Sequence, residues 1–394
     1  MAETQHQYEY VVVGLGALGS STVYHLARRG EQVLGLERFR LGHAHGASHD
    51  SSRILRHSYH TPGYVALTFA AYDDWADLEA DSGEQLVTIT GGLDLYPPDP
   101  AIPMVDYTTS MAACGVPYEQ LDHDQLARRW PQLSLPDGTV GVLQERSAIV
   151  PASRTVRLLQ QRAGAGGAEL RDESAVTSVR DLGPRGVEVE ASGTTYRCRR
   201  LVVCADAWTN DVLAGIGYRL PLTTTREQVT YFLPADPEPY AVGRLPLWIW
   251  MDDPCFYGFP SYGEATVKAA QDCGGPEVGS DDRGGDALFG TDPDRLALLT
   301  AFMSRTLPGA GPAQRSVRCL YTLTPDRDFV LGPVPGCESV VVGLGAAHAF
   351  KFTPTFGRLL ADVATGGGST DGLTPFRLDR PALTDADYDA HWLV

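Results

Sequence analysis

Short apolar runs alternate along the chain with amphipathic segments, and the two patterns predict different elements. Runs of Val, Leu and Tyr predict buried strands, whereas apolar residues three and four positions apart predict helices. Strands are expected at 10–13, 32–37, 199–205 and 339–343, and helices at 18–29, 64–80, 294–307 and 356–364. Alternating β-type residues occupy 140–150 and 219–262, a proline-rich stretch at 96–103 breaks the preceding helical pattern, and 274–294 is expected to be an exposed acidic loop.

Strand–helix–strand units therefore lie near both ends of the chain, with β-rich segments between them. This order is typical of an α/β (α+β) protein that contains a Rossmann-like domain. We expect one nucleotide-binding domain built from separated pieces and a second, sheet-rich domain inserted into it.

Composition narrows the possible partners. The 394 residues suit two domains, and 32 Lys and Arg against 49 Asp and Glu give a net charge of −17. Such an acidic chain is a poor ligand for nucleic acid or for anionic membranes, both of which need basic surface. The N-terminal residues lack a signal-peptide pattern, and no window of about 18 apolar residues predicts a membrane span.

The cysteines point to a reducing compartment. There are seven, an odd number, and none forms a C-x-x-C pair. A zinc ribbon or a disulfide framework is therefore not expected, and the protein is expected to be cytoplasmic. The histidines at 43, 45 and 49 could be interpreted as a metal site, but no Cys or acidic ligand set accompanies them, so no metal is expected.

A glycine motif at the end of the first strand predicts a dinucleotide site. Residues 11–19 read V-V-V-G-L-G-A-L-G, so Gly14, Gly16 and Gly19 form G-x-G-x-x-G with Ala17 and Leu18 between them. The first glycine permits a tight turn, the second lets backbone approach a pyrophosphate, and the third lets helix and strand pack closely. Glu37, at the end of the next strand, can accept hydrogen bonds from ribose hydroxyls and disfavours NADP. The motif alone does not distinguish NAD from FAD.

A second glycine-rich loop, at 343–347, favours a flavin, because an isoalloxazine ring lies far from its ADP end and needs backbone amides of its own. Here the chain resembles the monomeric sarcosine oxidase and N-methyltryptophan oxidase family, within the D-amino-acid-oxidase-like flavoproteins. The resemblance spans nearly the whole chain. It rests on the N-terminal fingerprint, S-H-D-S-S-R-I-L-R-H at 48–57, the strand at 201–208, Y-G-F-P at 257–260, C-L-Y-T-L-T-P-D at 319–326 and the loop at 345–352.

The resemblance implies bound FAD, carried covalently by Cys319 through a thioether to the flavin 8α-methyl group. From the residue alone, a buried free cysteine is the alternative. The implied FAD-binding domain is discontinuous, at 1–88, 150–218 and 318–394, and the implied substrate domain covers 89–149 and 219–317. The implied cofactor-binding residues are Gly14, Gly16, Ala17, Leu18, Gly19, Glu37, Arg38, Ser48, Val176, Cys319, Gly345, His348, Phe350 and Lys351.

The same resemblance assigns catalytic roles. Lys268 matches a lysine near flavin N5 that promotes the reaction of reduced flavin with O₂, where a fixed positive charge stabilises developing superoxide. A structural strand lysine is the alternative. His49 and Arg53 match residues that lie against the flavin ring, where an arginine stabilises the anionic reduced form.

Other matched positions imply a substrate site. Arg56 and Lys351 correspond to a pair that binds a substrate carboxylate. The alternative for Arg56 is a purely structural role in an ion pair. Tyr257 and Tyr321 correspond to pocket aromatics, or else belong to the core. Asp272 stands where sarcosine-specific enzymes carry a histidine, and a carboxylate there favours a cationic or polar group on the substrate.

These residues together predict an FAD-dependent oxidase of a secondary amino acid, N-methylated or cyclic. It would produce an imine, then aldehyde and amine, together with hydrogen peroxide. Its partners would be the amine substrate and O₂, and it would be a monomer. A flavin amine dehydrogenase with another electron acceptor, a fructosyl-amine-type oxidase, a non-catalytic flavoprotein subunit and an NAD-dependent dehydrogenase remain alternatives.

Overall fold

The computed structural model describes residues 6–283, 290–367 and 371–393. In those ranges the strands are β1 (His6–Val13), β2 (Val33–Leu36), β3 (Arg53–Leu55), β4 (Thr88–Ile89), β5 (Gly92–Tyr96), β6 (Glu119–Leu121), β7 (Val140–Gln144), β8 (Ala148–Val150), β9 (Glu169–Arg171), β10 (Val176–Asp181), β11 (Val187–Ala191), β12 (Thr194–Val203), β13 (Thr223–Phe232), β14 (Leu247–Trp250), β15 (Phe256–Phe259), β16 (Val267–Gln271), β17 (Ala313–Leu323), β18 (Val330–Val334) and β19 (Cys337–Leu344). The α-helices are α1 (Ala17–Arg28), α2 (Pro62–Ser82), α3 (Met104–Ala113), α4 (His123–Arg129), α5 (Ala152–Ala165), α6 (Thr209–Leu213), α7 (Pro293–Thr306), α8 (Thr353–Thr365) and α9 (Pro381–Thr384).

The first sheet has a parallel centre. β1 lies between β2 and β12, β9 follows β2, and the C-terminal half of β12 pairs in parallel with β19. β10, β11 and β18 add antiparallel strands. Both faces are covered, because Tyr10 and Val12 pack into one apolar cluster while Val11 and Val13 pack into another. A strand buried on both faces has a continuous apolar sequence, as observed here.

The second sheet is mixed and also has eight strands, in the order β17-β13-β16-β15-β14-β5-β7-β6. Its core, formed with α7, includes Trp248, Phe256 and Phe302, and the last two rings stack 4.1 Å apart. A small sheet of β3, β8 and β4 accompanies the two large ones, and β3 pairs with β8 between Arg53 and Val150. No helix among the described residues is long and apolar enough to cross a membrane.

The predicted mixed α/β architecture is confirmed, and the predicted helices and strands are present with ends shifted by a few residues. Of the predicted acidic loop at 274–294, residues 284–289 lie outside the described residues, and the rest is mainly exposed as predicted. The loop ends earlier than predicted, because α7 begins at Pro293. Helices α3 to α6 and α9 were not predicted. The expected domain boundaries remain predictions, and the one at 318 falls inside β17, a strand of the second sheet.

Candidate active site

The turn between β1 and α1 is built around missing side chains. Gly14 has φ +89°, and a Cβ there would lie 2.4 Å from the carbonyl oxygen of Cys204. A Cβ on Gly19 would lie 1.8 Å from the carbonyl oxygen of Gly14, so the helix could not pack this close to the turn. At Gly16, which precedes α1, the nearest atom to a Cβ is the Ser48 hydroxyl at 3.0 Å, and that hydroxyl accepts a hydrogen bond from Ala17 N. The N-terminus of α1 thus has the geometry that binds phosphate.

Glu37 lies beside this turn at the end of β2. Its carboxylate accepts hydrogen bonds from the backbone N–H groups of Leu15 and Phe39, at 2.8 and 3.1 Å, and its Oε1 lies 3.3 Å from His43 Nε2. Burial alone would raise the pKa of Glu37, but these hydrogen bonds outweigh it and lower the pKa. A fixed, ionised acceptor next to the phosphate turn fits a ribose.

One continuous cavity, of about 580 Å³, begins at this turn and extends to the second sheet. Of the residues that the sequence analysis assigned to the site, all line the cavity except Gly19, whose closeness to Gly14 explains its position. The lining includes Leu36, Arg38 and Val176 at one end and Tyr257, Lys268 and Cys319 at the other. The cavity therefore joins a dinucleotide cradle to a second chamber, as a flavin dinucleotide requires.

Lys268 enters the second chamber from β16 and is 3% exposed. Its Nζ donates to Asp50 Oδ2 at 2.5 Å, and lies 3.1 Å from the carbonyl oxygen and 3.3 Å from the hydroxyl of Ser52. The aromatic rings of Phe259 and Tyr231 lie 5.1 and 5.7 Å from the ammonium. Asp50 was not assigned to the site from the sequence, although it lies within the motif at 48–57.

Arg53 and His49 flank the same chamber. The Arg53 guanidinium donates to the carbonyl oxygens of Ala47, His49 and Ser52 and lies 5.7 Å from the Phe350 ring. Burial and the neighbouring Arg53 lower the pKa of His49 to about 4, so its imidazole is neutral at neutral pH. Its Nε2 is buried and has no hydrogen-bond partner among the described residues, which leaves it available to a ligand.

Cys319 lies on β17 and is 7% exposed. Burial raises the pKa of its thiol to about 12, although Arg53 and Lys268 act in the opposite direction. The thiol is therefore protonated in the folded chain at neutral pH. All seven cysteines are free, and the described residues contain no cluster of three or more His, Cys, Asp or Glu suited to a metal ion.

Arg56 and Lys351 lie on the same aromatic ring. The Arg56 guanidinium carbon is 5.1 Å from the centre of the Tyr59 ring, and Lys351 Nζ is 5.5 Å from it. Lys351 donates to the carbonyl oxygen of His348 at 2.8 Å and has no ion-pair partner within 4 Å among the described residues. Burial, Arg56 and Arg327 lower its pKa well below the usual value, and a carboxylate bound beside it would raise the pKa again by stabilising the ammonium form.

Arg56 has a counter-ion that the sequence analysis missed. Asp94, on β5, is 3% exposed, accepts a hydrogen bond from Arg56 at 3.2 Å and another from the Ser58 hydroxyl. Burial would lower the pKa of Arg56, but Asp94 raises it. The sequence did contain a signal for Asp94, because β5 reads G-L-D-L-Y and an aspartate between apolar strand residues is expected to be buried and paired.

Asp272 also has a partner that was not anticipated. Both of its oxygens lie 2.8 Å from Nη2 of Arg327, which is 4% exposed and was not among the assigned residues. Arg327 Nη1 donates to the carbonyl oxygen of Trp392, and His348 Nε2 lies 2.9 Å from the carbonyl oxygen of Arg327. A substrate group at this point would meet an ion pair instead of the free carboxylate that was expected.

Comparison of the sequence with known proteins also indicates a flavoprotein oxidase. The profile of the FAD dependent oxidoreductase family, DAO, matches residues 9–363. The chain is 32% identical to monomeric sarcosine oxidase of Streptomyces avermitilis, over 96% of this chain and 99% of that protein. It is 28% identical to N-methyl-L-tryptophan oxidase of Escherichia coli, over 95% and 99% of the two chains.

A solved structure is similar over the same extent. The open form of NikD, described as an unusual amino acid oxidase essential for nikkomycin biosynthesis, superposes with a TM-score of 0.84 at 28% identity and covers 94% of this chain and 97% of its own.

Proposed function

Because the chain belongs to the DAO family of FAD-dependent oxidoreductases, and is related along its length to the monomeric sarcosine oxidases, we propose that it oxidises a secondary amino acid, N-methylated or cyclic, with O₂ as electron acceptor. FAD is its cofactor. The products are an imine, which water converts to an aldehyde and an amine when the substrate is N-methylated, and hydrogen peroxide.

The arrangement of Arg56, Tyr59 and Lys351 carries the proposal. Two cations on one aromatic ring, one of them without a carboxylate partner in the described residues, form a receptor for a single carboxylate. The receptor opens into the cavity that continues to the dinucleotide turn. An amino acid held there by its carboxylate presents its amine toward the chamber of Lys268 and Cys319.

A bound FAD would supply the redox chemistry, accepting a hydride equivalent from the carbon next to the substrate nitrogen and passing the two electrons to O₂. The protein residues prepare that transfer. Arg56 and Lys351 orient the carboxylate, while Tyr257 and Tyr321, both partly buried, pack against the amine substrate. The amine must be neutral to give up hydride, and we assign no side chain as its general base.

We also propose that Lys268 promotes the reaction of reduced flavin with O₂ and that the protein is a cytoplasmic monomer. A buried cation in an enclosed chamber supports the first assignment. The seven free cysteines suit a reducing compartment.

A peroxide-coupled screen tests the activity. N-methyl and cyclic amino acids should release hydrogen peroxide under air, whereas the matching methyl esters, which lack the carboxylate, should react far more slowly. If the protein reduces a dye but forms no peroxide, it is a flavin amine dehydrogenase. If it prefers fructosyl amines as substrates, it is a fructosyl-amine-type oxidase.

Lys351→Met tests the carboxylate receptor. Loss of a charge-assisted contact should raise KM for the amino acid by about 10–100-fold, with little change for the methyl ester, as steady-state kinetics would measure. Lys351→Arg, which keeps the charge, is the matched control and should retain more of the affinity. Equal losses of amino-acid and ester turnover in Lys351→Met would contradict the assignment.

A further inference from the structure

Asp50 and Lys268 form a buried ion pair, and the charge of Lys268 matters for the proposed reaction with O₂. Only 10% of the Asp50 side chain and 4% of the Lys268 side chain are exposed, and the charged atoms lie 2.5 Å apart. The remaining acceptors around Lys268 Nζ are both on Ser52, at 3.1 and 3.3 Å. The ammonium thus has acceptors for all of its protons, and Asp50 is the one that carries charge.

Asp50 is itself held in place from several sides. Its Oδ1 accepts a hydrogen bond from the Tyr231 hydroxyl at 2.5 Å, and its carbonyl oxygen accepts one from Ser153 N at 3.0 Å. Its φ is +81°, a left-handed conformation that a non-glycine residue rarely adopts. The contacts around Asp50 thus hold its backbone in this conformation and fix the direction of its carboxylate.

The groups around Lys268 act on its charge in opposite directions. Burial and Arg53, on β3, disfavour the ammonium, whereas Asp50 favours it. The other groups that face it are His49 and the Ser52 hydroxyl on the loop before β3, and on the second sheet Tyr231 (β13), Phe259 (β15) and Cys319 (β17). Asp50 is the carboxylate in contact with Lys268 among the described residues. The balance leaves the pKa of Lys268 at about 8 and that of Asp50 at about 2, so both are charged at neutral pH.

We propose that Asp50 is a positioning residue that controls the oxidase step, because its carboxylate keeps the buried Lys268 protonated and offsets part of the charge that O₂ meets. In that step reduced flavin gives two electrons and, with solvent, two protons to O₂, so that oxidised flavin and hydrogen peroxide are formed. The inference rests on the proposed role of Lys268. It adds that the Asp50 carboxylate opposes the effects of burial and Arg53 and so keeps that lysine charged.

The main test is the pH profile of flavin reoxidation in the reduced holoenzyme, measured by rapid mixing with O₂ between pH 6 and 9. In the wild type the rate should fall as pH rises through about 8. In Asp50→Asn the fall should move to lower pH by about one unit or more, because burial is no longer opposed by a carboxylate. Below that fall the variant should be at least as fast as the wild type, since the charge of Lys268 is no longer offset.

Three further variants separate charge from architecture. Asp50→Gly, which suits the left-handed backbone, should move the profile as Asp50→Asn does. Tyr231→Phe removes a hydrogen-bond donor from Asp50 but keeps both charges, so it should move the profile less. Lys268→Met should be slow at every pH. If Lys268→Met reoxidises as fast as the wild type, the role of Lys268 in the proposed function is wrong. If Lys268→Met is slow but the rates of Asp50→Asn and Asp50→Gly fall at the same pH as the wild-type rate, the inference about Asp50 is wrong and the role of Lys268 stands.

A direct readout does not depend on turnover. The whole sequence contains only two lysines, Lys268 and Lys351, so ¹³C-lysine labelling of the holoenzyme gives two side-chain signals. Lys351→Met identifies the signal of Lys268. Its titration should occur near pH 8 in the wild type and at lower pH in both Asp50 variants. An unchanged titration would overturn the inference, whatever the variants do to the reoxidation rate.

Discussion

At the residue scale, the charged groups of the cavity occur mainly as pairs. Lys268, Arg56 and Arg327 each bind an aspartate, at positions 50, 94 and 272. A buried charge without a partner is costly, and the pairs avoid that cost. Lys351 and Arg53 have hydrogen bonds to carbonyl oxygens but no carboxylate partner among the described residues. The position of Lys351 beside Arg56 on the Tyr59 ring is why we propose it, and not Arg53, for the substrate carboxylate.

From the sequence, Lys268, Arg56 and Lys351 were assigned to the site, but no aspartate was identified as the counter-ion of any of these cations. The paired residues are 38, 55 and 218 positions apart, and no local pattern relates side chains at such separations. Asp50 and Asp94 could have been noticed, the first inside a recognised motif and the second inside an apolar strand. Arg327 lies one residue beyond the motif at 319–326, and only the fold brings it to Asp272.

Cys319 provides a residue-scale prediction. If its sulfur carries the flavin, acid-precipitated wild-type protein should stay yellow, whereas Cys319→Ala should release its flavin into the supernatant, as absorbance at visible wavelengths would measure. Cys273→Ala, which changes another buried cysteine of the second sheet region, is the matched control and should keep its flavin. A colourless wild-type pellet would exclude the thioether.

At the element scale, close contact between helices depends on a few small residues. A Cβ on Gly357 of α8 would lie 2.1 Å from the Ser21 hydroxyl and 2.5 Å from the Ser21 backbone carbon on α1. Since α1 supplies the phosphate-binding turn, the position of α8 supports the cofactor site.

We therefore predict that Gly357→Ala destabilises the protein by roughly 1–3 kcal/mol, because backbone has to move. Gly63→Ala, in α2, makes the same chemical change where nothing lies within 4 Å, and should be neutral or stabilise by up to about 1 kcal/mol. Chemical unfolding of both variants, with flavin absorbance as a second probe, checks this. Equal stability of the two would show that the contact between α1 and α8 can relax freely.

The elements that the sequence predicted are those whose apolar pattern is continuous or strongly periodic, such as β1, α1, β19 and α8. Some of the unpredicted helices are short, but others carry a signal that the sequence offered. α4 spans only His123–Arg129, although the capping box of Asp122 and Gln125 was available to find it. α3 has only ten residues and follows a proline, whereas α5 has a clear apolar face that includes Val156, Leu159 and Ala163, so its pattern was sufficient to predict it.

At the scale of the whole molecule, stability should depend on pH through buried histidines. Burial lowers the pKa of His25, His49 and His57 to about 4. Between pH 6.5 and 4 these three sites bind more protons in the unfolded chain than in the folded one, so their contribution to stability falls as pH falls through this interval. Each histidine contributes at most on the order of 3 kcal/mol.

Urea unfolding at pH 7 and pH 5 measures this loss. His25→Gln should reduce it, because His25 lies in α1 outside the cavity and its buried Nε2 has no hydrogen-bond partner among the described residues. His123→Gln, at a position with 31% side-chain exposure, is the control and should leave the loss unchanged. An identical loss in His25→Gln and the wild type would contradict the assignment.

The placement of both lysines in the cavity has a practical consequence. Every other basic side chain outside the histidines is an arginine, so no lysine amine is found on the outer surface. Coupling reagents that attach enzymes to electrodes or beads through lysine side chains would find both of their targets inside the candidate active site. The 49 carboxylates offer the better chemical handle for immobilising this enzyme as a biosensor component.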